Sequence, residues 1–254
     1  MLGLVQGVTE FLPVSSSGHL VLVEHGLGVR SNGQALEIAV HLGTLLAVLL
    51  HYRRDLVDIV RDVLRRSPGA RLGWMVVVGT LPAVVVGLAF KHQIDAAFGS
   101  PRAAAWGLVA TGVVLLLTPL ARRRESAPGM LYAFVVGCAQ AVAILPGVSR
   151  SGSTIGTALF LGDDAVRAAR FSFLLSIPAI GGAAVLLFAD GALRQVDAPG
   201  PLLLAACVAF VSGWAAIAFL IRLLGRGRLW CFGPYCLALG AWVLHHLATT
   251  PQPA

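Results

Sequence analysis

Charge is what this sequence has least of. Asp, Glu, Lys and Arg make up only 12% of its 254 residues, where a water-soluble domain carries about 25%. A soluble chain of this length would bury a large core but would still need a polar shell, and this composition excludes one. Cysteine is also scarce. Cys138, Cys207, Cys231 and Cys236 form no CxxC pair and stand at no zinc-ligand spacing from a histidine, so they read as reduced core residues. Acidic residues number 12 against 19 basic ones, a net charge of +7. Such an excess raises the question of a nucleic-acid partner, but the basic residues lie between apolar runs, which argues against one. No cleavable leader is expected in this sequence either, because the first apolar stretch has no basic prefix and runs straight into SSSGH at 15–19. Insertion into a membrane is therefore expected to rest on later segments.

What is present is apolar sequence, 57% of the chain. A bilayer core about 30 Å thick takes roughly 20 apolar residues in a helix. Six runs meet that length, at about 34–51, 73–90, 103–121, 171–189, 201–221 and 229–248. Two more apolar regions, 1–26 and 130–162, are interrupted near their middle, one by Pro13 and SSSG, the other by Pro146, Gly147 and SRSG. Each predicts a helix, a polar break and a second helix. Breaks of this kind persist at membrane depth only where protein or a water-filled cavity satisfies the backbone.

The basic residues orient these segments, because cytoplasmic loops retain Lys and Arg. Arg53, Arg54, Arg61, Arg65, Arg66 and Arg71, then Arg122, Arg123 and Arg124, then Arg167 and Arg170, and finally Arg222, Arg226 and Arg228 fall on one side. Arg30, Lys91, Arg102 and Arg194 fall on the other, and Arg150 sits inside a broken segment. The larger group marks the cytoplasm. The basic loop at 53–71 reads as an anchor on anionic lipids, and Trp74, Trp106, Trp230 and Trp242 stand mostly near span ends as interfacial aromatics do. Region 130–162 then enters from and returns to the cytoplasmic side, and region 1–26 does the same from the outer side. The expected fold is an all-α integral membrane protein, a single domain over 1–254. It comprises six transmembrane helices and two re-entrant helical hairpins in two halves of inverted topology, 1–121 and 130–248. A gapless internal match supports the duplication: with Gln6 set against Gln140, Gly3 meets Gly137, Ser15 meets Ser149, Ser17 meets Ser151, Gly18 meets Gly152, and Arg150 falls opposite Ser16. Inverted repeats with discontinuous helices place their site at the interface of the halves, near the midplane.

Charges at bilayer depth cost a few kcal/mol each, so Glu10 and Arg150, on opposite hairpins, call for a function. A buried ion pair that pins the halves together is the simpler account, but it leaves the serines unexplained. Both breaks put small hydroxyl residues and a glycine where a half-helix begins, Ser15, Ser16, Ser17 and Gly18 in one and Ser149, Ser151 and Gly152 in the other. Half-helix N-termini present unpaired N–H groups and a positive dipole end, and two converging make an anion site. The guanidinium fork of Arg150 fits phosphate oxygens. Glu10, Ser16 and His19 supply a proton acceptor, a nucleophile and a proton donor, with His19 within about a turn of Ser16. Glu37 and His41, one turn apart at the start of the first full span, are either an outer ring of this site or an interfacial pair.

The motifs TEFLPVSSSGHL at 9–20 and PGVSRSGST at 146–154 resemble the two signatures of the undecaprenyl-diphosphate phosphatases, also called bacitracin-resistance phosphatases. The likeness extends to LEIAVHLGTLLAV at 36–48 and FSFLLSIPA at 171–179. It implies removal of the terminal phosphate of a polyisoprenyl diphosphate at the outer face of the bacterial inner membrane, which recycles the lipid carrier of cell-wall synthesis and confers bacitracin resistance. Glu10, Ser16, His19 and Arg150 are the implied catalytic set. Gln6, Ser15, Ser17, Gly18, Ser149, Ser151, Gly152 and Thr154 are the implied phosphate ligands. The family's E/QxxxE pair falls on Gln6 and Glu10, the amide version, and Gln6 cannot act as a base. The family also implies a divalent cation, Mg²⁺ or Ca²⁺, to which Glu10 is the candidate carboxylate. No organic cofactor is expected, the partners are lipids, and a homodimer is compatible with all of this. Three questions stay open at this stage: which of Ser15, Ser16 and Ser17 attacks, whether water attacks directly, and whether the chain is instead a lipid-phosphate or anion carrier, which shares inverted repeats and a midplane anion site.

Overall fold

The computed structural model describes residues 1–27, 34–123, 128–189 and 199–249; Arg30, Arg124 and Arg194 lie outside them. Among the described residues the chain is entirely helical. α1 (Leu2–Phe11) and α2 (Ser16–Leu27) flank the first break, and α8 (Met130–Val142) and α9 (Arg150–Phe160) flank the second. Between them run α3 (Gln34–His51), α4 (Arg53–Arg65), α5 (Ala70–Ala89), α6 (Lys91–Phe98) and α7 (Pro101–Leu117). α10 (Ala165–Ala189), α11 (Pro199–Leu224) and α12 (Gly233–Thr249) complete the bundle.

Five of these stretches, 70–89, 101–120, 165–186, 199–224 and 229–249, are long and apolar enough to cross a bilayer. α3 joins them when taken with α4, to which it is bent by 72°. Their outer faces carry large apolar side chains, among them Leu81, Val85 and Leu88 of α5 and Leu203 and Leu204 of α11, each more than half exposed. A contiguous apolar exterior of this kind suits lipid, not water. The chain is a multi-pass membrane protein. The same inside-out logic corrects the expectation for cysteine: all four are free, but Cys138, Cys207 and Cys231 lie on the exterior and only Cys236 is buried. The stretch read as a basic loop contains α4, whose Leu56, Ile59, Val63 and Leu64 line a crevice against α5 and α10 while its arginines are exposed.

Small residues let the helices approach. α1 packs along α11 and α8 along α5. A Cβ at Gly3 would strike the Ala205 carbonyl of α11, and one at Gly137, its counterpart in the internal match, would strike the Gly79 carbonyl of α5. Gly137→Leu is therefore expected to destabilise the protein by about 1–3 kcal/mol through forced separation of α5 and α8. Thermal unfolding in detergent reads this directly, and a wild-type melting temperature would rule out the close contact. The inner core joins α1 to α10: Phe11 meets Phe173 edge-on, with ring centroids 5.7 Å apart, and Phe173 also touches Tyr52.

The basic segments gather at one end of the bundle. Arg170 pairs with Asp55 of α4, and Arg123 lies 3.4 Å from Asp164. The short helical turn Thr118–Leu120 packs on the turn Leu229–Phe232. At this same end Tyr132, near the start of α8, donates to Asp163, just past the end of α9, at 2.5 Å. Leu2 of α1, Leu20 and Val21 of α2, Leu36 of α3 and Phe98 of α6 line one common cavity. Phe98 ends the helix that connects α5 to α7, whereas α4 connects α3 to α5.

Candidate active site

Both half-helices after the breaks start with a serine cap. Ser15 Oγ accepts from Gly18 N at 3.2 Å and Ser149 Oγ accepts from Gly152 N at 3.1 Å, which satisfies one orphan amide of each first turn. Ser15 Oγ also lies 3.2 Å from Ser17 Oγ, and Ser149 Oγ 3.2 Å from Ser151 Oγ. The chain enters α2 through Ser15 at φ 66°, a left-handed conformation that is uncommon outside glycine and costs roughly 1–2 kcal/mol. Strain of this sort collects at functional sites. In the second break the left-handed bend lies two residues before the matching Ser149, at Gly147 with φ 84°. Thr111 of α7 holds that break from outside, donating to Gly147 O at 3.1 Å and accepting from Ser149 N at 2.9 Å.

The two breaks touch. A Cβ on Gly18 would lie 2.8 Å from Gly147 Cα, and one on Gly152 would lie 3.3 Å from Pro13 Cβ. The N-termini of α2 and α9 therefore converge on a common space, and with them their positive dipole ends.

Into that space project the charged residues. Arg150 Nη2 donates to Glu10 Oε1 at 2.9 Å. Ser16 Oγ donates to Glu10 Oε2 at 2.5 Å, and Gln6 Nε2 donates to the same oxygen at 3.0 Å. Glu10 is 9% exposed and Gln6 is fully buried. Two polar atoms here are buried with no protein partner, Arg150 Nη1 and Gln6 Oε1. Orphaned buried groups are costly, about 1–3 kcal/mol each, and are retained where a ligand supplies the partner. One is a cationic donor suited to a phosphate oxygen, the other a hard oxygen acceptor.

The remaining sequence candidates separate into groups. Ser151 lies inside the cap cluster, fully buried. Thr154 faces away from the breaks, donating to Arg150 O at 2.7 Å and sharing a 2.6 Å hydrogen bond with Ser172 of α10. Ser17, Glu37 and His41 line the polar side of a cavity of about 220 Å³ between α1, α2 and α3, and His41 Nδ1 donates to Glu37 O at 2.8 Å. His19 is not directed at Ser16: its nitrogens meet Ser15 O at 2.7 Å and Tyr235 Oη at 2.6 Å. Thr111 and Tyr235 had no motif to mark them, and Ser172 stands in the FSFLLSIPA stretch without having been singled out. Gln140 did have one, the internal match to Gln6, and it is 2% exposed with neither amide atom partnered.

Residues 1–242 match the family described as bacitracin resistance protein BacA. The chain is 42% identical over 265 residues to the undecaprenyl-diphosphatase of Desulfosudis oleivorans, covering 96% of each protein. It is 42% identical over 262 residues to that of Mycobacterium ulcerans, covering 98% of this chain and 95% of the relative. The figure is 40% over 255 residues, covering 96% of each, for that of Korarchaeum cryptofilum. With a match that runs from α1 into α12, this chain belongs to the BacA family of bacitracin resistance proteins.

Proposed function

We propose that this protein hydrolyses undecaprenyl diphosphate to undecaprenyl phosphate and inorganic phosphate, and thereby supports cell-wall synthesis and bacitracin resistance. The observation that carries the reading is the Ser16–Glu10–Arg150 chain of hydrogen bonds where the two breaks meet. It sets a nucleophile, a base and a phosphate-binding cation in one partly buried contact.

The reaction follows from that geometry. Ser16 Oγ attacks the terminal phosphorus while its proton passes to Glu10 Oε2 along the existing bond. The bond from that phosphorus to the bridging oxygen breaks, and undecaprenyl phosphate leaves with the bridging oxygen. Water then cleaves the phosphoserine, releasing inorganic phosphate and restoring Ser16. Arg150 Nη1 and the first-turn amides of α2 and α9 stabilise the equatorial oxygens as charge builds. Direct attack by water on the same phosphorus would use Glu10 in the same role. A transporter would need neither the serine nor its base.

A divalent cation fits this site as a companion of the diphosphate. Among the described residues no three His, Cys, Asp or Glu side chains gather. Glu10 and the unpartnered Gln6 Oε1 would hold Mg²⁺ or Ca²⁺, with substrate phosphates completing the shell. The ion would supply charge neutralisation on the phosphates.

In the membrane, α3, α5, α7, α10, α11 and α12 form six spans, and α1–α2 and α8–α9 are re-entrant hairpins of two inverted halves, 1–121 and 130–248. The Tyr132–Asp163 bond supports return of the second hairpin to the basic end. The cavity that gathers Leu2, Leu20, Leu36 and Phe98 supports a first hairpin that opens to the other end. With the basic end in the cytoplasm of a bacterial inner membrane, the diphosphate enters from the periplasmic face and its tail stays in lipid.

The test is phosphate release from undecaprenyl diphosphate in detergent, with rapid-quench trapping of 32P. Wild type is expected to release phosphate and to accumulate label on Ser16, and Ser16→Ala to lose at least about a hundredfold in rate. Release without a labelled serine selects attack by water. Folded wild type that binds the lipid and releases nothing, with or without Mg²⁺ or Ca²⁺, would replace the phosphatase with a lipid-phosphate carrier.

A further inference from the structure

Tyr235 belongs to α12, 216 positions from His19 in sequence, yet the two rings lie 9° from parallel with centroids 5.7 Å apart. The placement is anchored by the next residue. Cys236 is fully buried, and its thiol donates to Pro13 O at 3.6 Å, which docks the start of α12 on the first break.

The two hydrogen bonds of His19 define its protonation pattern. Ser15 O only accepts, so the hydrogen is on Nδ1. In the neutral ring Nε2 then carries the lone pair, and the Tyr235 hydroxyl donates to it. Imidazole side chains in water favour the opposite form, with hydrogen on Nε2. Ser15 O thus sets which nitrogen is basic, and Tyr235 of α12 caps that nitrogen.

We propose that Tyr235 is a positioning residue of the site: its hydroxyl caps Nε2 of a His19 ring whose Nδ1–H is already fixed by Ser15 O, and so holds that ring above the first turn of α2. The chemical consequence rests on the phosphatase reading: with both nitrogens bonded, the ring has one orientation beside the serine-capped first turn of α2 that binds phosphate in that reading. Tyr235→Phe keeps the aromatic stack and deletes only the hydroxyl, so it separates the hydrogen bond from the packing.

The first arm of the test is ¹⁵N NMR of the imidazoles in detergent, with His19→Ala to assign the signal. Wild type is expected to show His19 as the Nδ1–H form with Nε2 hydrogen-bonded, and Tyr235→Phe to keep the Nδ1–H form while its Nε2 signal moves to that of an unbonded nitrogen. An Nε2–H ring in wild type, or identical spectra, would overturn the proposal. The second arm is kinetic. Tyr235→Phe is expected to lower kcat about tenfold or more with KM changed less than about twofold, and to have no further effect in a His19→Ala background. An equal fall in that background would show that the tyrosine acts without the histidine. Absence of phosphate release in wild type would remove the phosphatase reading, while the NMR arm would still decide the proposal.

Discussion

Replacement of Glu10 by Gln is expected to lower kcat for phosphate release by at least about a hundredfold, roughly 2.7 kcal/mol, with the protein still folded. The amide has the same shape, so it retains an oxygen for Arg150. It cannot take the Ser16 proton, and its NH₂ group would face the Ser16 hydroxyl and the Gln6 Nε2 that now donate to a single carboxylate oxygen. The loss should fall on kcat, because proton transfer belongs to the transition state, and KM should change much less. Phosphate release at saturating lipid, beside thermal melts of both proteins, measures this. Activity within tenfold of wild type in a normally folded Glu10→Gln protein would mean that another group takes the proton, and His19 would become the candidate.

Much of this architecture was legible because the bilayer imposes a length. Apolar runs near 20 residues became α5, α7, α10, α11 and α12, and the two interrupted runs became α1–α2 and α8–α9 with their breaks at Pro13 and at Pro146 and Gly147. The approach of Glu10 to Arg150 was legible for a related reason: two opposite charges in otherwise apolar hairpins have few other ways to be satisfied. The helix α4 was hidden by its arginines, although Leu56, Ile59, Val60 and Val63 repeat at helical spacing. The cysteines were misplaced because apolar surroundings do not distinguish the interior of a membrane bundle from its lipid face. Ser15 and Ser149 were expected as phosphate ligands, and the structure gives their hydroxyls to amides of their own helices, a local competition that spacing alone does not rank. Tyr235 was invisible, because contact with His19 depends on how α12 docks against the first break, which is a property of tertiary packing.

The second large effect is expected at Arg150, where charge and shape are separable. Arg150→Lys keeps the cation and should keep the fold. It loses the planar fork that places Nη2 on Glu10 and leaves Nη1 for a phosphate oxygen. A lysine reaches one of these partners, so the rate should fall at least about a hundredfold, with KM rising as well because the fork binds substrate in the ground state. Arg150→Leu should go further and destabilise the protein, by about 3–5 kcal/mol, because it leaves the Glu10 carboxylate buried without its counter-charge. Combining Arg150→Leu with Glu10→Gln removes both charges. It should recover a large part of that stability while restoring none of the activity. Thermal melts and phosphate release on the four proteins of this cycle separate the two contributions. If the double variant is no more stable than Arg150→Leu, the pair contributes nothing specific to the fold. If Arg150→Lys turns over like wild type, the fork is not what holds the phosphate, and the amides of α2 and α9 must carry that charge alone.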